Sequence, residues 1–80
     1  MEDRVAIIAI MVSDKESVSQ INEILHQFSD AIIGRMGLPY RQKKINIISV
    51  VLDAPQDTVS TISGKIGKLP GVTAQTLFSK

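Results

Sequence analysis

Hydrophobic residues in this chain follow two different rhythms. Val5-Ala6-Ile7-Ile8-Ala9-Ile10-Met11-Val12 is apolar at every position and rich in β-branched residues. It is too short for a buried helix and stops at Ser13-Asp14, so it predicts a strand buried on both faces. Ile45 to Leu52 predicts a second strand of this kind, with Ile45, Ile47 and Val51 on one side and Ile48, Val50 and Leu52 on the other. Alternation alone does not say which side faces the helices. If the Ile47 side did, a lysine there would unfold the domain and one at Ile48 or Val50 would split an oligomer.

Between these strands the rhythm changes. Val18, Ile21, Ile24, Leu25 and Phe28 recur three and four residues apart, with Ser19, Gln20, Glu23, His26 and Gln27 on the opposite face. This spacing predicts an amphipathic helix from about Asp14 to Ser29. Ser13 and Glu16 match a capping box. Val59, Ile62, Ile66 and Leu69 form the stripe of a second helix, expected to start near Asp53-Ala54-Pro55 with Pro55 in its first turn, and to stop at Pro70-Gly71.

Two further strands complete the pattern. Ala31 to Leu38 is interrupted by Gly34 and Gly37 and followed by Pro39, which suits an edge strand. Tyr40 to Lys44 is a polar connection. Val72 to Phe78 is the last strand, of mixed polarity. The order β-α-β-β-α-β predicts an α+β, ferredoxin-like sandwich, with an antiparallel four-stranded sheet and two helices on one face. Residues 1–80 fit a single domain.

That architecture exposes a conflict. The first and third strands are central and apolar on both faces, yet both helices cover the same face. The other face is then a partner surface, most simply for a second copy of the chain. A homo-oligomer, dimer or tetramer, is therefore expected. Gly64 and Gly67 fall inside the second helix, where each costs about 1 kcal/mol relative to alanine. Ser60, Ser63 and Gly67 follow small-residue spacing, so a close approach to a neighbouring helix, sheet or subunit is expected there. Gly71 is expected to supply a positive φ.

Composition narrows the chemistry. The chain is 44% hydrophobic, has a net charge of +1 and contains no cysteine. Disulfides, thiolate metal sites and cysteine-held clusters are excluded, and bulk charge does not argue for nucleic acid or membrane. The opening Met1-Glu2-Asp3 lacks the basic start of a signal peptide. Eight apolar residues fall short of the about 20 that a span requires. These features predict a soluble, cytoplasmic protein.

Candidate sites are few. His26 is the only histidine and reads as a solvated helix residue, so no metal site and no cofactor are expected. Arg35, Arg41, Lys43 and Lys44 place four of the nine basic residues within ten positions that hold no acid. With Tyr40 and the unusual Gly37-Leu38-Pro39-Tyr40-Arg41, they mark either an anion-binding patch or a charged hairpin end that discourages edge pairing. The candidate ligand or interface positions are Gly37, Pro39, Tyr40, Arg41, Gly64 and Gly67. Gly64-Lys65-Ile66-Gly67-Lys68 lies inside a helix and presents no amides to a phosphate; Lys65 and Lys68 suit the helix C-terminus. Asp14, Asp53 and Asp57 read as caps and first-turn charges. No catalytic constellation stands out, so a non-enzyme is expected.

The ending Ile66-Gly67-Lys68-Leu69-Pro70-Gly71-Val72 resembles the close of an ACT-type regulatory domain. More closely, the chain resembles the family of iron-only hydrogenase system regulators, itself similar to the ligand-sensing C-terminal domain of nickel-responsive repressors. The resemblance rests on Ile21 to Ser29, Arg35 to Arg41 and Ile62 to Gly67. It implies a non-enzymatic regulator that oligomerises through its sheet. The repressors hold metal with histidines and a cysteine, and bind DNA through a separate domain. Amino-acid-binding ACT domains often carry Asp-x-Pro-Gly where this chain has Asp14-Lys15-Glu16-Ser17. Nickel sensing, direct DNA binding and amino-acid sensing are therefore not expected. Two alternatives remain: a small-molecule sensor with its ligand at a subunit interface near Gly37 to Arg41, or a purely structural interaction module.

Overall fold

A computed structural model describes residues 2–80. Strand β1 spans Asp3–Val12, helix α1 Lys15–Gln27, strand β2 Ile32–Tyr40, strand β3 Ile45–Pro55, helix α2 Gln56–Gly67 and strand β4 Val72–Phe78. The sheet order is β2-β3-β1-β4, and every neighbouring pair is antiparallel. The chain therefore has the α+β, ferredoxin-like fold, with β1 and β3 at the centre.

Register settles which phase lies under the helices. Ala6, Ile8, Ile10 and Val12 of β1 are buried, and so are Ile48, Val50, Leu52 and Ala54 of β3. Ile21 and Leu25 of α1 and Val59, Ile62 and Ile66 of α2 close over them to form one core. The example that put Ile47 under the helices is reversed: Ile47 pairs with Met11 and Leu38 on the opposite face. The central strands are also not buried on both faces within the chain. Val5, Ile7 and Met11 are 42%, 39% and 53% exposed.

Several boundaries differ from the sequence reading for local reasons. Asp14, not Ser13, caps α1, accepting the Glu16 N–H at 3.0 Å. Ser13 instead bonds across the chain: its N–H and hydroxyl both donate to the Gly71 carbonyl, at 2.8 and 3.2 Å. Asp53 and Ala54 extend β3 rather than open a helix, and Pro55 is the N-cap of α2 without a side-chain cap. α1 stops at Gln27 and gives way to a single 3-10 turn, Ser29–Ala31.

Gly71 has φ +69, the left-handed region that favours glycine. A Cβ there would sit 2.8 Å from Ser13 Oγ and 3.0 Å from the Asp14 backbone nitrogen. It thus joins the α2–β4 turn to the β1–α1 turn. Gly64 and Gly67 behave otherwise: a Cβ on either meets nothing within 4 Å. Within this chain they do not serve a close approach to helix or sheet, and that expectation is corrected. Ser17 is the buried polar residue that the stripe analysis passed over. Its hydroxyl donates to the Pro70 carbonyl at 2.7 Å.

Lys44, which closes the 3-10 turn Arg41–Lys43, is the described non-glycine residue with a positive φ, at 56°. The left-handed region costs a side-chain-bearing residue about 1–2 kcal/mol.

Two outcomes follow. Lys44→Gly should raise unfolding stability by about 1 kcal/mol in urea titration. Val50→Lys places an unpaired charge in the core and should cost about 3–5 kcal/mol, abolishing the cooperative transition, whereas Ile47→Lys should retain it. The reverse pattern would contradict the assigned phase.

Candidate functional site

Two surfaces stand apart from the core. The first is the helix-free sheet face. Cross-strand register lines it in rows: Leu38, Ile47, Met11 and Thr73; then Met36, Ser49, Ala9 and Gln75; then Val51, Ile7 and Leu77 beside Gly34. Leu38, Met36 and Leu77 are 55%, 68% and 69% exposed. Single exposed apolar residues are ordinary, but these are contiguous across four strands.

The second surface is a groove between α1 and β2. The helices leave β2 uncovered, and every residue of it after Ile32 is exposed. On the helix side β2 presents Arg35, Gly37 and Pro39, which pair with Val50, Ile48 and Asn46. Gly37 contributes no side chain, so the floor stays open. Arg35 crosses the groove and donates to Asn22 Oδ1 of α1 at 2.6 Å.

Three cavities are strung along this groove. One, of about 650 Å³, is lined by Ser13, Lys15, Pro39, Tyr40, Arg41, Lys44, Ile45 and Asn46. It adjoins one of about 230 Å³, floored by Gly37 and sharing Pro39 and Asn46. That one in turn shares Asn22 and Arg35 with a third, of about 290 Å³, which His26 also lines. The Tyr40 hydroxyl donates to Gln42 Oε1 at 2.8 Å.

Of the sequence candidates, the fold brings Pro39, Tyr40 and Arg41 together in one cavity and sets Gly37 in the next. Gly64 and Gly67, on α2, line neither. Of the basic cluster, Lys43 and Arg35 do not line this cavity, Arg35 lining the other two instead, while Lys15 joins Arg41 and Lys44. Lys15, Ser13 and Asn46 were missed because they are distant in sequence. The signal that finds them is topological. In a βαββαβ fold the β1–α1 connection and the β2–β3 connection lie at the same end of the sheet. Among the described residues, no group of three His, Cys, Asp or Glu side chains converges to hold a metal. Also among them, no helix is long and apolar enough to cross a membrane.

Comparison with known proteins agrees with this architecture. A Thermotoga maritima protein described as uncharacterized, TM1266, superposes with a TM-score of 0.94 at 39% identity, covering 99% of this chain and 100% of that one. The ACT domain of a GTP pyrophosphokinase from Chlorobium tepidum has a TM-score of 0.80 at 24% identity, covering 94% and 99%. The C-terminal domain of the MgtC protein from Mycobacterium tuberculosis reaches 0.77 at 8% identity, covering 95% and 87%. The last two likenesses concern the fold alone. No curated protein matches the chain. Residues 4–76 match the TM1266-like family, whose description reads "Iron-only hydrogenase system regulator, putative". With that match spanning all but the first three and last four residues, the chain belongs to the TM1266-like family of iron-only hydrogenase system regulators.

Proposed function

We propose that the protein is a non-enzymatic regulatory or accessory component of an iron-only hydrogenase system, and that it works by self-association through the helix-free face of its sheet. The observation that carries this reading is the contiguous apolar surface formed by Ile7, Met11, Met36, Leu38 and Leu77. The hydrogenase connection comes from the family description.

The energetics of burial support a partner of comparable size. Five large side chains, each about half exposed, leave roughly half of the 1.5–3 kcal/mol that complete burial of each supplies. Counted on two subunits, this reaches about 10 kcal/mol, the same order as the 4–15 kcal/mol lost on association. Ala9 and Ser49, opposite one another in the middle row, let a second sheet come close. A dimer, or a tetramer built from dimers, is the expected assembly.

A second reading has its own support. The cavity at Pro39, Tyr40 and Arg41 has the size of a small-molecule site, about 300–1000 Å³. It lies at the end of a sheet whose free face associates, so occupancy there can bias assembly. The protein is then a sensor that couples a ligand to its oligomeric state.

Light scattering on the wild type at tens of micromolar should report at least twice the mass of one chain. Met11→Lys, on central strand β1 of the face, should shift the mass towards a single chain while retaining helical circular dichroism. A wild type that remains monomeric at this concentration would rule out self-association as the mode of action.

A further inference from the structure

The cavity at the Tyr40 end of the groove carries one sign of charge. Lys15 from the start of α1 and Arg41 and Lys44 from the β2–β3 turn line it, and no aspartate or glutamate does. The chain has eight acidic residues, so this is not for want of partners. Lys15 is also the first residue of α1. Positive partial charge accumulates at a helix N-terminus, where a cation is unfavourable. An anion in this cavity is within the field of all three cations.

Blunting of an edge strand does not account for the cluster. That device places charge on the edge or in the turn beside it, which covers Arg41 and Lys44 but not Lys15 on the helix. The rest of the lining has a different chemistry. Pro39, Tyr40 and Ile45 add apolar groups to the lining, and Ser13 and Asn46 add neutral polar groups.

We propose that this cavity binds a small organic phosphate with at least two negative charges and a planar body. The inference rests on the sensor reading of the site. The phosphates contact Lys15, Arg41 and Lys44, and the planar body lies against Pro39 on the helix side of β2. Beyond Pro39 and Asn46 the adjoining cavity continues the space over Gly37, where a Cβ would meet nothing within 4 Å. The absent side chain at Gly37 leaves room for that body. A self-association face needs none of these features.

The sequence provides its own reporter. Tyr40 is the sole tyrosine and there is no tryptophan, so tyrosine emission reports on one residue of the cavity lining, and calorimetry separates binding from assembly, because Tyr40 shares the strand phase of Leu38. In phosphate-free, low-salt buffer, ADP and pyrophosphate should change Tyr40 emission and bind one per chain by calorimetry, and adenosine should not bind. Lys15→Ala and Arg41→Ala should each weaken both by about tenfold or more, the loss expected for one charge-assisted contact. Lys44→Gly should do the same while preserving the fold, because its backbone conformation suits glycine. Gly37→Leu fills open space, so it should leave folding and pyrophosphate affinity unchanged and abolish the advantage of ADP over pyrophosphate. No response to ADP or pyrophosphate at millimolar concentration, or binding indifferent to these substitutions, overturns the proposal. A panel of neutral and cationic metabolites separates the two levels. Binding of one of these, reported by Tyr40, retains the sensor site and refutes the phosphate assignment; silence throughout refutes both.

Discussion

Two helices cannot cover two faces of a sheet. In this chain both connections of the βαββαβ order place their helices on the same side, over Ala6, Ile8, Ile10 and Val12 of β1 and Ile48, Val50 and Leu52 of β3. The two central strands nevertheless carry apolar residues on both sides. Val5, Ile7 and Met11 have no helix to meet, nor do Ile47 and Val51. This asymmetry governs the rest of the structure: it confines the core to one layer, gives the chain a second apolar surface and directs attention to what lies on it.

The same constraint explains the groove. Helix α2 packs against β4, β3 and β1, and α1 packs on β1 and against α2. Strand β2 is left at the edge without a roof. Its helix side carries Arg35, Gly37 and Pro39, none of which is a large apolar residue needing cover. The open strip is thus written into β2 itself, and the β2–β3 turn adds Arg41 and Lys44 at one end of it. The apolar face and the basic cavity are two consequences of one uneven layering. They sit on opposite sides of the sheet yet share β2, whose Leu38 faces one way and whose Pro39 faces the other.

The fold was legible because it depends on periodicity. Strand β4 falls at Val72–Phe78 as the sequence reading has it, and the stripes of both helices are where three-and-four spacing places them. What was not legible depends on contacts between distant segments. Strand alternation has no label for inside, so Ile47 and Ile48 could be told apart only by register. Ser13 gave up its expected capping role because the Gly71 carbonyl comes within reach. Ser17 lies in line with Ile21 and Leu25, and that position was the available clue to its burial. Gly64 and Gly67 were misread within the chain because a glycine in a helix reports a missing side chain, not what occupies the space. The basic cluster was half legible: Arg41 and Lys44 are close in sequence, but Lys15 enters only because β1 and β2 end at the same end of the sheet, on either side of β3.

The central claim is that a second copy covers the helix-free face. A soluble paramagnetic agent, applied to methyl-labelled protein at tens of micromolar, tests it residue by residue. The account predicts that the methyl groups of Met11, Ile7 and Leu38 relax slowly, like those of the buried Ile8 and Val50, although a single chain leaves them exposed. Rapid relaxation of Met11, Ile7 and Leu38, matching their exposure in one chain, would contradict it.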